Sequence, residues 1–160
     1  MGDILSKESV KRVKKKLEDF SKELQVEVLN SSARTAQQAA ESLNTEVGSI
    51  VKSLLFKTED GFLLCLVSGD RRCSLNKLKK IKNQKDISMA SAHQVKKITG
   101  YTIGGVSPVG HLQQIDIFID EELNRFNSLY AAAGHPNCIF KINFDNLIKI
   151  TKGSIKNITE

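Results

Sequence analysis

At 160 residues and 40% hydrophobic, the chain is long enough for one domain with a real core and too short for two comfortable ones. Twenty-four lysines and arginines against 18 aspartates and glutamates leave a net charge of +6, which suits a polyanion such as RNA, although a lysine-rich solvated surface accounts for it more simply. The charged amino terminus and the lack of any apolar run near the roughly 20 residues of a spanning helix argue against a signal peptide and a membrane, so a cytoplasmic protein is expected.

From Ser6 to Gln25, apolar residues recur three or four apart at Val10, Val13, Leu17, Phe20 and Leu24, which predicts an amphipathic helix with Ser6 and Ser9 as candidate caps. Its lysine-rich side is either a phosphate-contacting surface or a solvated face. Glu27-Val28-Leu29 reads as a short strand. Ser31 and Ser32 precede a helix from Arg34 to Leu43, whose Ala36, Ala39 and Ala40 make a small-residue face suited to close packing. Ser49 to Lys57 is a buried strand, Glu59-Asp60-Gly61 a hairpin turn, and Phe62 to Val67 its return strand, where Cys65 fits as a small buried thiol.

Leu75, Leu78 and Ile81 among lysines predict a second basic helix, and Ile87 to Ala90 a short strand. Ser91 caps a helix through Gln94, Val95 and Ile98 that stops at Gly100. Strands follow at Ile115 to Asp120, Ser128 to Ala133 and Cys138 to Ile142, with a short helical or turn segment at Glu121 to Phe126. Asn143 starts a final helix through Leu147 and Ile150, and the tail from Lys152 is a short strand or irregular. The three cysteines, Cys65, Cys73 and Cys138, are odd in number and fall in no metal-ligand spacing, so reduced thiols, no structural metal and no cofactor are expected.

Three places attract a chemical reading. The segment Thr99 to Gly110 holds Gly104, Gly105, Val106, Ser107 and Pro108 and is too rich in glycine for a helix or strand interior; it is either a plain connection or a loop shaped so that backbone amides can approach another molecule. Lys52 interrupts an apolar strand, on the face of Ile50 and Leu54 and opposite Val51, Ser53 and Leu55. Its ammonium must find solvent, a carboxylate or a cleft. At Gly134-His135-Pro136-Asn137 a run of small residues meets a non-regular corner, where His135 either donates to a ligand or braces its own turn. His93, in the helix before the glycine loop, reads as structural or exposed. No Walker loop, nucleophile elbow, dinucleotide fingerprint or two-histidine metal site is present.

Ile50-Val51-Lys52-Ser53-Leu54, Leu66-Val67-Ser68-Gly69-Asp70, Gly104 to Gly110 and Ala132 to Asn137, in that order and over nearly the whole chain, resemble the YbaK-type aminoacyl-tRNA deacylases, relatives of the editing insertion domain of bacterial prolyl-tRNA synthetases. The resemblance implies a single 1–160 editing domain of α+β class, with a curved, partly barrel-like mixed sheet and helices packed outside. It implies a trans-editing deacylase that hydrolyses the ester of a mischarged tRNA, with tRNA as partner and prolyl-tRNA synthetase as a second one. By the same resemblance Lys52, Gly104 and Gly105 carry the chemistry, and Ser53, Val106, Ser107, Pro108, Gly134 and His135 bind substrate. Ser53 stands where some relatives carry asparagine. The Arg34-Thr35-Ala36 block and the Ala-Gly-His-Pro corner favour tRNA(Pro) carrying a small wrong amino acid such as cysteine or alanine. Two other classes share these residues: a binding module for RNA or protein that has lost hydrolysis, and a hydrolase of small esters or nucleotides.

Overall fold

A computed structural model describes residues 3–31 and 33–160, and the elements it contains follow from local chemistry. Helix α1 (Glu8–Phe20) starts after Lys7 without a side-chain cap, because Ser6 Oγ donates to Asp3 O and Ser9 Oγ donates to Gly134 O. It is shorter than the 6–25 periodicity suggests: Ser21 is extended, and Leu24 joins the core from a turn instead of a helical step. Strand β1 (Val26–Val28) follows. Helix α2 (Ala36–Leu43) is capped by Thr35 in a reciprocal box with Gln38, whereas Ser31 pairs with Ser42 and Ser32 lies outside the described residues.

Strands β2 (Ile50–Thr58) and β3 (Gly61–Ser68) form the expected hairpin, with Thr58 opposite Gly61. Helix α3 (Leu75–Lys82), strand β4 (Ser88–Met89) and helix α4 (Ala92–Thr99) come next. Ser91 and Gln94 cap α4 reciprocally, and Gly100 ends it in the left-handed conformation. Strands β5 (Asp116–Asp120), β6 (Leu129–Ala132) and β7 (Cys138–Ile142), helix α5 (Phe144–Thr151) and strand β8 (Ser154–Lys156) complete the chain, with a 3-10 turn over Glu121–Arg125.

All eight strands form one mixed sheet in the order β1-β7-β6-β2-β3-β5-β8, with β4 attached to β2. Helices cover both faces, which explains why β3 is apolar without alternation. Leu64 and Leu66 pack with Val10, Val13 and Leu17 of α1, while Leu63, Cys65 and Val67 pack with Leu78 of α3. The fold is therefore α+β, a mixed sheet with peripheral helices.

One irregularity of this sheet positions everything that follows. The outer edge of β2 pairs in parallel with β6 at Ile50 and Val51, then antiparallel with β4 at Phe56 and Lys57, and Ala90 N donates to Leu55 O. Between those contacts the edge at Lys52, Ser53 and Leu54 has no strand partner among the described residues. Along a strand, N–H and C=O alternate in side with the period of two. Since Leu55 O points outward to Ala90, the N–H and C=O of Ser53 also face this gap.

Candidate active site

A cavity of about 340 Å³ opens at the gap. Its floor is Ile50 to Leu55, one wall is Ala33, Arg34, Thr35, Ala36 and Ala39, another is Tyr130 to Ala132 with Pro136, Cys138 and Ile139, and Ile103, Gly104 and Val106 close it. The walls are made of small side chains because α2 and β6 both present alanines where larger residues would fill the space. Ser53 Oγ is buried at the floor and has no hydrogen-bond partner among the described residues. A hydroxyl on a cavity floor with no protein partner is free to bond a polar group that enters the cavity.

Lys52 leaves β2 on the opposite face from Ser53, as strand alternation requires. It lines this cavity and a second, more open one. Its Nζ donates to Arg71 O at 2.6 Å, so the ammonium finds a carbonyl and a cleft. Burial lowers its pKa from the ordinary lysine value, opposed in part by Cys73 and Asp70. Asp70 itself is held well by Arg125, at 2.7 and 3.2 Å, and accepts from Ser68 Oγ at 2.9 Å.

The glycine loop is braced from below. Tyr101, fully buried, donates its hydroxyl toward Val109 O at 2.6 Å and Gly110 O at 3.0 Å, and burial pushes its pKa up to about 12. The Arg12 guanidinium lies 4.9 Å from the Tyr101 ring centroid and donates through Nε to Gly110 O at 3.0 Å. His111 Nε2 lies 2.7 Å from Ser107 O, and Val109 N donates to Ser107 Oγ at 3.3 Å. Gly104 adopts φ +94°, a conformation that favours glycine, and reaches the cavity between Arg34 and Pro136. Gly105 N donates to Thr102 O at 3.0 Å, so that amide is already occupied within the loop.

Of the residues singled out from the sequence, Lys52, Ser53, Gly104 and Val106 line the cavity together. Gly105, Ser107, Pro108, Gly134 and His135 stand outside its described lining. They support it: Gly105 is packed on the backbone of Gly134 and His135, Ser107 and Pro108 are buried, and Gly134 is packed on the backbone of Ser9. His135 Nδ1 accepts from Asn137 N at 3.0 Å, bracing its own turn. The second wall is carried instead by Tyr130 to Ala132, Cys138 and Ile139 with Pro136, of which the sequence singled out Pro136 only as part of the corner and Cys138 only as a reduced thiol. The alanine face of α2 was legible as small but not as a void, because sequence spacing shows where small residues fall and not what they leave unfilled.

A small apolar chamber at an interrupted sheet edge, closed by a glycine loop and approached by a half-buried lysine, is the candidate site of this α+β domain. The chain belongs to the family of the aminoacyl-tRNA editing domain, whose model matches residues 30–150. A proline–tRNA ligase of Caldicellulosiruptor bescii is 33% identical over 136 residues, 84% of this chain and 23% of the ligase, so the chain spans under a quarter of that enzyme's length. EbsC of Enterococcus faecalis, put forward as a Cys-tRNA(Pro)/Cys-tRNA(Cys) deacylase, is 28% identical over 78% of this chain and 77% of its own. A crystal structure put forward as a trans-editing enzyme for prolyl tRNA synthetase superposes with a TM-score of 0.90 at 36% identity, covering 96% of this chain and 98% of that one. The resemblance to YbaK-type proteins and to prolyl-tRNA synthetase editing domains therefore holds. No helix of the described residues is long and apolar enough to cross a membrane.

Proposed function

We propose that this chain is a trans-editing deacylase that hydrolyses the ester between a small wrong amino acid, cysteine or alanine in particular, and the 3′ end of tRNA(Pro). The observation that carries this reading is the cavity of about 340 Å³, small-walled and apolar, with Lys52 and Gly104 on its lining. That volume is near the lower end for small-molecule sites, which suits one small aminoacyl group better than a large side chain. Prolyl-tRNA synthetase, whose errors such an enzyme clears, is the natural partner, and the cytoplasm the natural place.

An aminoacyl ester is already activated, so orientation and a donor for the developing oxyanion supply most of what is needed. In this reading Lys52 holds the nucleotide end and supplies positive charge, while Gly104 offers its amide toward the ester oxygen. Gly105 keeps the loop in shape through Thr102 O. Water, or the neighbouring ribose hydroxyl, is the nucleophile, and the acyl group never passes to the protein. Cys138 is the one thiol on the cavity wall, and burial pushes its pKa up to about 11. It stays protonated near neutral pH and is a poor nucleophile, which supports hydrolysis without a covalent intermediate.

The deciding experiment is a panel of Ala-, Cys-, Ser-, Thr- and Pro-tRNA(Pro), each followed for ester survival with the purified chain. Rapid loss of the alanyl or cysteinyl ester with the prolyl ester spared is the expected result. Binding of the charged tRNAs with every ester intact would instead make the chain a non-catalytic module.

A further inference from the structure

The second cavity shares Lys52, Leu54 and Met89 with the first and differs from it in chemistry. Besides those residues it is lined by Asp70, Arg71 and Arg72, which follow β3 in the turn closed by Arg71 N donating to Ser68 O. Asp70 is neutralised by Arg125, as described above. Arg71 has only loose ionic partners, with Nε 3.8 Å from Asp70 and Nη2 3.9 Å from Glu122, both beyond hydrogen-bond length. Its Nε is buried and has no hydrogen-bond partner among the described residues. Arg72 is exposed and makes no ion pair among the described residues. Lys52, Arg71 and Arg72 thus line a cavity whose own carboxylate, Asp70, is paired with Arg125, and Arg71 Nε is left without a hydrogen-bond partner among the described residues.

We infer that this second cavity is a phosphate site, in which Arg71 and Arg72 bind the phosphate on the 5′ side of the nucleotide whose ester enters the first cavity. The inference rests on the proposed editing reaction and extends it to residues that reading leaves unused. An aminoacylated nucleotide has an apolar or small acyl end and an anionic end joined through a ribose, and the two cavities offer that same pair of environments with Lys52 at their junction. The Arg71 carbonyl that accepts from Lys52 Nζ is part of the same turn, so one segment orients the lysine and presents the guanidinium groups. Guanidinium donors match phosphate oxygens in geometry, and a buried one gains more than a solvated one from the anion. Met89, 55% exposed at the shared wall, gives the ribose and base an apolar surface.

The test compares three minimal esters: 3′-O-alanyl adenosine, the same compound with a 5′-phosphate, and alanyl cytidylyl-adenosine, which has an internal phosphodiester. For the parent chain, either phosphate should raise kcat/KM by about tenfold or more, the effect of one or two charge-assisted hydrogen bonds. In an Arg71→Gln, Arg72→Gln double variant that gain should shrink to about threefold or less. Since the gain is a ratio of two substrates on one protein, loss of folded material cancels. An absent gain in the parent, or an equal gain in the variant, overturns the inference. Inorganic phosphate that inhibits the phosphorylated and unphosphorylated esters alike would mark a site for free phosphate, which overturns it too. Should no ester be hydrolysed, the editing reading fails on its own. The phosphate site is then read from NMR titrations with cytidylyl-adenosine and with adenosine. About tenfold tighter binding of the dinucleotide, with shifts at residues 69–73, supports it, and equal binding overturns it.

Discussion

Gly105 and His135 meet backbone to backbone: a Cβ on Gly105 would stand 3.0 Å from both Cα and N of His135. Two loops about thirty residues apart in sequence are thereby held as one body, and Gly104 is carried on it into the cavity. Gly134 extends the contact to α1, since a Cβ there would lie 2.6 Å from Ser9 O. Ser9 Oγ already donates to Gly134 O at 2.9 Å, so that approach is bonded as well as close.

The three glycines should therefore respond differently to alanine. Gly134→Ala combines φ +89° with a clash against helix backbone and should cost the most, about 2 to 4 kcal/mol in urea unfolding. Gly104→Ala has φ +94° but its nearest neighbours are 3.7 Å away, so it should lose only the strain, about 1 to 2 kcal/mol. Gly105→Ala has no positive φ, but its Cβ would press on the His135 backbone at 3.0 Å, so it should part the two loops, costing about 1 to 2 kcal/mol and lowering deacylation. A Gly105→Ala variant as stable and as active as the parent would mean that the loops are not packed as one unit.

His135 makes the same corner sensitive to acid. Its Nδ1 accepts from Asn137 N, which requires the ring to be unprotonated at that nitrogen. Burial, then the charges of Lys7 and Arg34, lower its pKa below the ordinary histidine value of 6.5. The folded chain thus binds this proton less readily than the unfolded one. The associated stability is present above pH 6.5 and declines as pH falls toward the lowered folded pKa. Urea midpoints from about pH 7.5 to 5 should show this decline in the parent and less of it in His135→Asn, whose amide oxygen can still accept from Asn137. A parallel decline in both proteins would place the sensitive group elsewhere.

For Lys52 the sign is opposite in activity. Its pKa lies below 10.5 because burial disfavours the ammonium, yet the ammonium is the form that supplies charge in the proposed reaction. Deacylation, corrected for spontaneous ester loss, should fall as pH rises through that lowered pKa, earlier than for a free lysine. Lys52→Ala should lose about two to three orders of magnitude in kcat/KM, the scale for one electrostatic contact in the transition state. Stability should move the other way, rising with pH between the lowered pKa and 10.5, since the unfolded chain holds the proton more tightly. An activity profile with no alkaline limb would remove Lys52 from the charged role.

How much of this the sequence disclosed follows from where each signal is local. Periodicity and capping chemistry located β2, β3, α4 and α5 closely, because Asp60-Gly61, Ser91-Gln94, Gly100 and Asn143 act within a few residues of the ends they set. Helix α1 was overextended because Leu24 keeps the helical spacing while packing from a turn. Lys52 was legible as a charge needing a cleft, but its acceptor, Arg71 O, lies across the hairpin and β3 and belongs to no motif. Ser53 carried even less warning. The gap beside it arises because β6 and β4, distant from each other in sequence, stop short on the same edge of β2.

Ser53 offers the sharpest separation of fold from function. Its Oγ is buried on the cavity floor without a partner among the described residues, so none of their hydrogen bonds depends on it. Ser53→Ala should leave the melting temperature unchanged or raise it by a few degrees, as expected when a desolvated hydroxyl is removed at a cost of only a small void. If the hydroxyl is reserved for the substrate, the same variant should lose about tenfold in kcat/KM on the preferred ester, one hydrogen bond to a charged or polar group. Stability and activity would then move in opposite directions in one substitution, a pattern that a purely structural serine cannot produce. A variant that melts earlier and loses activity in proportion would show that the hydroxyl has a partner inside the fold, and would return the specificity of the chamber to its alanine walls alone.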